Sequence, residues 1–482
     1  MKSSKLFLVV AISIGLLAVL GRFLYPGFLV QTTWPVPKRI IVVTIDTLRA
    51  DHVGRYGYPR PTSPFLDSLA RQGIVFTEAL APMPTTSPSH ASIFTGLYPI
   101  QHNVLKNGFK LDKKFVTLAE TLKPKGFRTA AVVSTDRHFA CADIDQGFDI
   151  FDEPVLKTRK YRPGNETVDK AIQVLEKFGP EDKVLFWLHL FDPHTPHQPP
   201  AEHRRVFEQV SHEEKKNVID FLRNSHHVPY DYYNNDPATM LATYDGYDGE
   251  VLFADTELKR LFDAYTRAGL GDDTLWIITA DHGEGLGNHD WPLHGKNIYY
   301  EAVHVPLIFF FSNKPTQGLE YDRFVELVDI SPTVLDLLGE DPVEAMAQVK
   351  ELQGTSLVPL FDGRSGAARG ESLFLQRRDY DPANRPLFMN PRTANYEDGE
   401  RFALQDNRYK YIHWTAGPDE FYHIEQDPYE LHNILGRSVS LENKYKTRLL
   451  DTIDRFKAEK TSAPASVNAD MIEKLKSLGY MQ

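Results

Sequence analysis

Three apolar runs in this chain each stop at an acid or an imidazole, and no other feature constrains the fold as strongly. Arg39-Ile-Ile-Val-Val-Thr-Ile45 runs into Asp46, Val184-Leu-Phe-Trp-Leu-His-Leu-Phe191 into Asp192-Pro193-His194, and Leu275-Trp-Ile-Ile-Thr-Ala280 into Asp281-His282-Gly283. Apolar runs of this kind read as strands buried on both faces. Open α/β sheets place their ligands beyond the carboxyl ends of such strands. Three strands ending this way point to one shared site.

Helical patterns separate the strands. Thr117–Leu122 has helical period and gives way at Gly126 to a strand over Phe127–Ser134. Val168–Phe178, Tyr247–Arg267 and Phe324–Leu338 carry apolar residues at helical spacing, and His304–Phe311 reads as a further strand. The fold class is therefore α/β, a mostly parallel sheet covered by helices on both faces. From about Ala367 the pattern changes to short strands, Glu371–Leu375, Arg401–Leu404 and Tyr409–Trp414, with a turn at Asp406-Asn407. These predict a small antiparallel C-terminal subdomain, followed by helices over Leu449–Phe456 and Met471–Leu478. The expected division is 1–36 as a signal or anchor segment with linker, 37–366 as the α/β body, and 367–482 as the C-terminal subdomain and terminal helices.

Lys2 and Lys5 precede the apolar stretch Leu6–Leu20, which reaches membrane length if it continues past Arg22 to Val30. With no clear Ala-x-Ala cleavage site, the segment reads as an anchor holding an exported body, a cleaved secretory signal being the alternative. A net charge of −11 argues against nucleic acid as a partner. The single cysteine, Cys141, can form no internal disulfide.

Thr85-Thr-Ser-Pro-Ser-His-Ala-Ser-Ile-Phe-Thr-Gly96 has the grammar of a helix, with Ser87 as N-cap, Pro88 at the first position and Gly96 at the stop. Thr86 then sits just ahead of a helix N-terminus, where unpaired N–H groups favour an anion. A hydroxyl there is placed to attack phosphorus or sulfur while a metal lowers its pKa. Asp46, Asp281 and His282 at the strand ends are the expected metal ligands, with Thr86 Oγ completing the set. Oxygen-rich ligands with one imidazole fit Ca²⁺, Mg²⁺, Mn²⁺ or Zn²⁺. Asp192, His194, His197 and His294 could build a second metal site, or His194 and His294 could be substrate contacts or a general acid for the leaving group. Lys296 would then clamp the anionic oxygens.

The chain resembles the sulfatase family of the alkaline-phosphatase superfamily. The matching residues are Ile45-Asp-Thr-Leu-Arg-Ala-Asp-His52 with Tyr56-Gly-Tyr58, Ser87-Pro-Ser-His-Ala-Ser-Ile-Phe-Thr-Gly-Leu-Tyr-Pro99, and Phe191-Asp-Pro-His-Thr-Pro196. Ala280-Asp-His-Gly-Glu284, His294-Gly-Lys296, Val305-Pro-Leu-Ile308, Val328–Leu338, Asn407–Ile412 and Leu475–Tyr480 follow in the family's order. The resemblance implies that 37–366 is a sulfatase-like catalytic domain. It departs at the nucleophile: the family has Cys or Ser there, oxidised to formylglycine, with Arg four residues later, where this chain has Thr86 and His90. A secondary alcohol cannot give that aldehyde. Thr47 likewise stands where many sulfatases have a second Asp.

Threonine is the nucleophile in the related nucleotide pyrophosphatase/phosphodiesterases and phosphoethanolamine transferases, and similarity to these makes Asn107 a contact to the phosphoryl oxygens. It also implies a metal bound by Asp46, Thr86, Asp281 and His282. The substrate-binding residues expected are Asn107, Lys296 and His90. The function implied is metal-dependent hydrolysis of a sulfate or phosphate ester, on a small-molecule, glycan or lipid substrate. Headgroup transfer to an envelope lipid or glycan, and a silent binding protein, are the alternatives.

Overall fold

The computed structural model describes residues 34–458, apart from 137, 157–158, 160, 225, 227, 229, 234, 315, 317, 347–351, 364–372 and 378–398. The apolar N-terminal stretch and the helix expected over Met471–Leu478 lie outside the described residues. Among the described residues no helix is long and apolar enough to cross a membrane.

Eight strands form the main sheet: β1 (Arg39–Ile45), β2 (Ile74–Leu80), β3 (Phe127–Val133), β4 (Ile150–Asp152), β5 (Lys183–Leu190), β6 (Thr274–Thr279), β7 (His304–Phe311) and β8 (Leu319–Glu326). Their order is β4-β3-β5-β1-β6-β7-β2-β8. All neighbours are parallel except at β7, which is antiparallel to both β6 and β2. The expected mostly parallel sheet is what forms. Its centre is β5-β1-β6, the three apolar runs side by side, with Thr44 opposite His189 on one flank and Thr279 on the other. β1 and β6 are buried along their whole length, as strands covered on both faces must be.

The helices bracket the sheet: α1 (Thr86–Thr95), α2 (Gly164–Leu175), α3 (Pro237–Arg267), α4 (Ile330–Leu337) and α5 (Val439–Ala458). Helix α3 starts at Pro237, well before the expected Tyr247, because the Asp236 carboxylate accepts from the N–H groups of Ala238 and Thr239. The helix expected over Phe324–Leu338 is a correction. Its first residues belong to β8, which pairs with β2, and α4 begins only at Ile330.

The C-terminal subdomain is an antiparallel sheet in the order β12-β11-β10-β9, with β9 (Leu373–Arg377), β10 (Arg401–Gln405), β11 (Tyr409–Trp414) and β12 (Glu420–His423). Helix α5 packs Tyr445, Leu449, Ile453 and Phe456 on Phe402, Leu404, Tyr411 and Phe421, and Tyr98, Ile100 and Val328 of the main body join the same apolar cluster. Lys410 pairs with Glu430 at 2.5 Å, and Glu430 also accepts from Tyr300 N–H at 2.7 Å. The subdomain is thus bonded to the body through both apolar contacts and buried polar ones.

Candidate active site

At the carboxyl edge of β1 and β6, Asp46 and Asp281 face one another with His282 beside them, and one ligand atom from each lies within 4.8 Å of the others. All three are fully buried. Asp281 Oδ1 is fixed by the N–H groups of His282 (2.9 Å) and Thr47 (3.2 Å), which leaves Oδ2 facing the cluster. His282 Nδ1–H donates to Gly283 C=O at 3.0 Å, so its Nε2 is presented to the site. That Nε2 is 3.4 Å from Asp281 Oδ2, 3.9 Å from Asp46 Oδ1 and 3.3 Å from Thr86 Oγ1. The residues expected to share a metal do converge.

Both oxygens of Asp46, and Oδ2 of Asp281, are buried with no hydrogen-bond partner. Burial and the Asp281 charge push the Asp46 carboxyl well above its ordinary range. At Asp281 burial acts the same way, but His282, His90 and His189 outweigh it and hold the group below its usual value. Two buried carboxylates without a counter-charge are costly. The donor set therefore fits a divalent cation bound between Asp46, Asp281, His282 and Thr86.

Thr86 is the first residue of α1, not the residue before it. Thr85 is the N-cap, with extended φ/ψ of −153° and 135°, and Gly96 closes the helix at φ 67°. Ser87 is therefore not the N-cap the sequence suggested. Its N–H instead donates to Asn107 Oδ1 (2.8 Å), and its hydroxyl is hydrogen-bonded to His138 Nε2 (2.7 Å). Asn107 is thereby held at the mouth of the helix, next to Thr86.

His294 lies against the ligand cluster, its ring 4.5 Å from that of His282 and 4.9 Å from that of His194. Its Nδ1 is 3.2 Å from the buried carboxylate of Glu284. Burial opposes protonation of His294, but the charge and hydrogen bond of Glu284, with Asp281, outweigh it and the pKa is raised. Burial, and then His294, push His194 well below its usual value. Lys296 is buried over the face of Trp291, 4.4 Å from the ring centroid.

Two expectations need correcting. His90, itself on α1, is fully buried, with Nδ1 2.8 Å from Thr86 C=O and Nε2 3.0 Å from Thr44 Oγ1. The Thr86 carbonyl can only accept, so His90 Nδ1 carries the proton; burial lowers the His90 pKa to about 3 and keeps the ring neutral, so Nε2 accepts from the Thr44 hydroxyl, which itself accepts from Trp187 Nε1 at 2.9 Å. Both nitrogens are engaged within the protein, so His90 ties its own helix to β1 and offers neither nitrogen to the open side of the site. Among the described residues Asp192, His194, His197 and His294 do not form a metal-sized group; Asp192 accepts from Gly164 N–H at 2.9 Å, and His197 Nδ1 bonds Pro193 C=O at 3.0 Å.

Sequence reasoning missed Glu284, His138 and His189. The last lies inside an apolar strand, with Nε2 3.4 Å from Asp46 Oδ2. A further cluster, Asp51, His52 and His226, is metal-sized. Asp51 there is already neutralised by the Arg49 guanidinium through two bonds of 2.8 and 2.7 Å.

The profile described as Sulfatase matches residues 38–340, and that of the N-sulphoglucosamine sulphohydrolase C-terminal region matches 287–455. The chain belongs to the sulfatase family. This places it in the alkaline-phosphatase superfamily, among hydrolases of sulfuric and phosphoric esters. The multifunctional alkaline phosphatase superfamily protein PehA of Trinickia caryophylli is 26% identical over 83% of this chain and 91% of its own. An ulvan-active sulfatase of Formosa agariphila is 26% identical over 89% of this chain and 84% of its own. The phosphonate monoester hydrolase of Agrobacterium radiobacter has the same fold, with TM-score 0.68 at 21% identity, covering 90% of this chain and 100% of its own.

Proposed function

We propose that this sulfatase-family chain is a metal-dependent hydrolase of sulfate or phosphate esters, with Thr86 as its nucleophile. The observation that carries the reading is the Thr86 hydroxyl. It stands at the first position of α1, 3.3 Å from His282 Nε2, beside the unpartnered oxygens of Asp46 and Asp281. A cation bound there by Asp46, Asp281, His282 and Thr86 would supply Lewis-acid lowering of the Thr86 hydroxyl pKa.

Thr86 Oγ, ionised to the alkoxide with its proton already lost to solvent, forms a bond to phosphorus or sulfur as the bond to the ester oxygen breaks. The N-terminus of α1, Asn107 and Lys296 hold the nonbridging oxygens. His294, oriented by Glu284 and flanked by His194, gives its proton to the departing alkoxide. Water, deprotonated by the same imidazole, then releases the acid and restores Thr86. The phosphoryl ester fits better, because a secondary alcohol cannot be oxidised to the aldehyde of formylglycine sulfatases. The basic start and apolar stretch Leu6–Val30 support an exported, membrane-tethered enzyme.

The test is a panel of nitrophenyl phosphate, nitrophenyl sulfate and bis(nitrophenyl) phosphate, with wild type and Thr86→Ala. The reading expects metal-dependent turnover that falls roughly 10³-fold or more in the variant. Unchanged rates remove Thr86 as nucleophile, and turnover of the sulfate alone removes the phosphoryl preference.

A further inference from the structure

We infer that Glu250 is a positioning residue for the leaving-group imidazoles: as a neutral carboxylic acid it donates to the Asp192 carboxylate and clamps the loop that carries His194. This rests on the reading that His294, flanked by His194, serves the leaving group, and adds to it the group that holds His194 in place.

Asp192 follows the end of β5, and Glu250 stands on α3; both are buried. Their carboxyl groups are hydrogen-bonded to one another. Glu250 Oε1 also accepts from Gln198 N–H at 2.8 Å. One side chain of α3 therefore grips the loop at residues 192 and 198, with His194 between them. Inside the loop, His194 N–H donates to Phe191 C=O at 2.8 Å and His197 Nδ1–H to Pro193 C=O at 3.0 Å. The His194 ring is thereby set between Phe191 and His294, with centroids 4.3 and 4.9 Å away.

Hydrogen-bond accounting puts a proton between the two acids. Two ionised carboxylates only accept, so they cannot bond one another. Glu250 Oε2 is buried and no donor reaches it, whereas Asp192 accepts from the Gly164 amide at 2.9 Å and from its own. The carboxyl with fewer donors is the one that keeps the proton. Burial, then the Asp192 charge and hydrogen bond, raise the Glu250 pKa from 4.5 to about 9. Burial lifts Asp192 too, but the hydrogen bonds from Glu250 and the two amides limit the rise to about 6. At neutral pH Glu250 is the acid and Asp192 the carboxylate.

The other ionisable groups around the pair do not stand in for that proton. Tyr161, ahead of α2, stays neutral, its pKa raised by burial and then by Asp192 and Glu250. Arg162 beside it is paired with Asp152 at 2.6 Å. On α3, Glu257 adds negative charge toward Asp192 and is paired with Arg260 at 2.6 Å. From the helix Ala201–Glu208, Arg204 packs near Gly249 and is paired with Glu208 at 2.5 Å. On the loop itself, burial holds His194 and His197 below their usual pKa.

The experiment compares full-length wild type, Glu250→Gln and Glu250→Ala. Infrared spectra at neutral pH should show a carboxylic-acid carbonyl band in wild type that Glu250→Gln lacks. The folded-state pKa is raised, so the Glu250 contribution to stability is present below its unfolded value near 4.5 and is lost as pH rises toward 9. An amide needs no proton, so the urea midpoint of Glu250→Gln should gain on that of wild type across the same range. In kcat/KM for a methyl ester, Glu250→Ala should lose roughly tenfold or more, while Glu250→Gln, able to donate to Asp192 and accept from Gln198, stays near wild type. Absence of the band, a midpoint gap that does not widen with pH, or equal rate losses in the two variants overturns the inference. If wild type turns over neither methyl nor nitrophenyl esters, the hydrolase reading falls instead, and the band and the midpoints still decide the clamp.

Discussion

Glu284 is fully buried, with its carboxylate 3.2 Å from His294 Nδ1. If His294 protonates the leaving group, Glu284 stabilises the charged imidazole from the far side. Glu284→Gln keeps the shape and an accepting oxygen but removes the charge. A hydrogen bond to a charged group contributes ~1.5–3 kcal/mol against ~1 for a neutral one. The difference of ~1.5 kcal/mol corresponds to about a tenfold loss of rate. His294→Ala deletes the acid itself and should cost ~10²–10⁴-fold. Both losses apply only where the leaving group needs a proton. The assay is kcat/KM for paired methyl and nitrophenyl esters at one pH. The methyl ester should lose about tenfold in Glu284→Gln and ~10²–10⁴-fold in His294→Ala, while nitrophenolate, stable as an anion, should leave at nearly wild-type rates. Equal losses for both leaving groups would refute the acid assignment and make the pair an anion-binding or structural contact.

Stability should depend on pH through His289. Burial lowers its pKa, but the charge and hydrogen bond of Glu301, with Glu430, outweigh it and raise it from 6.5 to about 9. The contribution is on the order of 3 kcal/mol, fully present below pH ~6.5 and lost as pH rises toward 9. His289→Asn should flatten that limb of the stability profile, and an unchanged profile would contradict the assignment. At Gly283 a Cβ would overlap the Glu301 carbonyl oxygen, so Gly283→Ala should cost ~1–3 kcal/mol, read as a lower urea midpoint. Chelation should remove ~4 kcal/mol of apparent stability relative to metal held at a thousand times its Kd, and Asp46→Asn should abolish that difference.

Much of this was legible in the sequence because it is written locally. A buried parallel strand is a continuous apolar run, and the residue that ends it is a neighbour in the chain, so Asp46, Asp281 and His282 could be placed without a structure. The helix carrying Thr86 was legible from its stop at Gly96, but Pro88 stands at its third position and not its first, so the start expected at Ser87 fell too late. The misses depend on contacts between distant segments. His90 looked like a substrate contact by position, yet Thr44 and the Thr86 carbonyl take both its nitrogens. His189 was hidden inside an apolar strand, and only the register of β5 on β1 brings it to Asp46. The Phe324–Glu326 stretch carries helical spacing, but pairing with β2 overrides it.

The central claim is that Thr86 Oγ becomes covalently bonded to the transferred group. Rapid acid quench of wild-type enzyme during turnover of a nitrophenyl ester, followed by peptide mass analysis, tests it directly. The account predicts the mass of one phosphoryl or sulfuryl group on the peptide carrying Thr86, absent from Thr86→Ala. An unmodified Thr86 peptide under conditions of product burst, or the added mass on another residue, would contradict it.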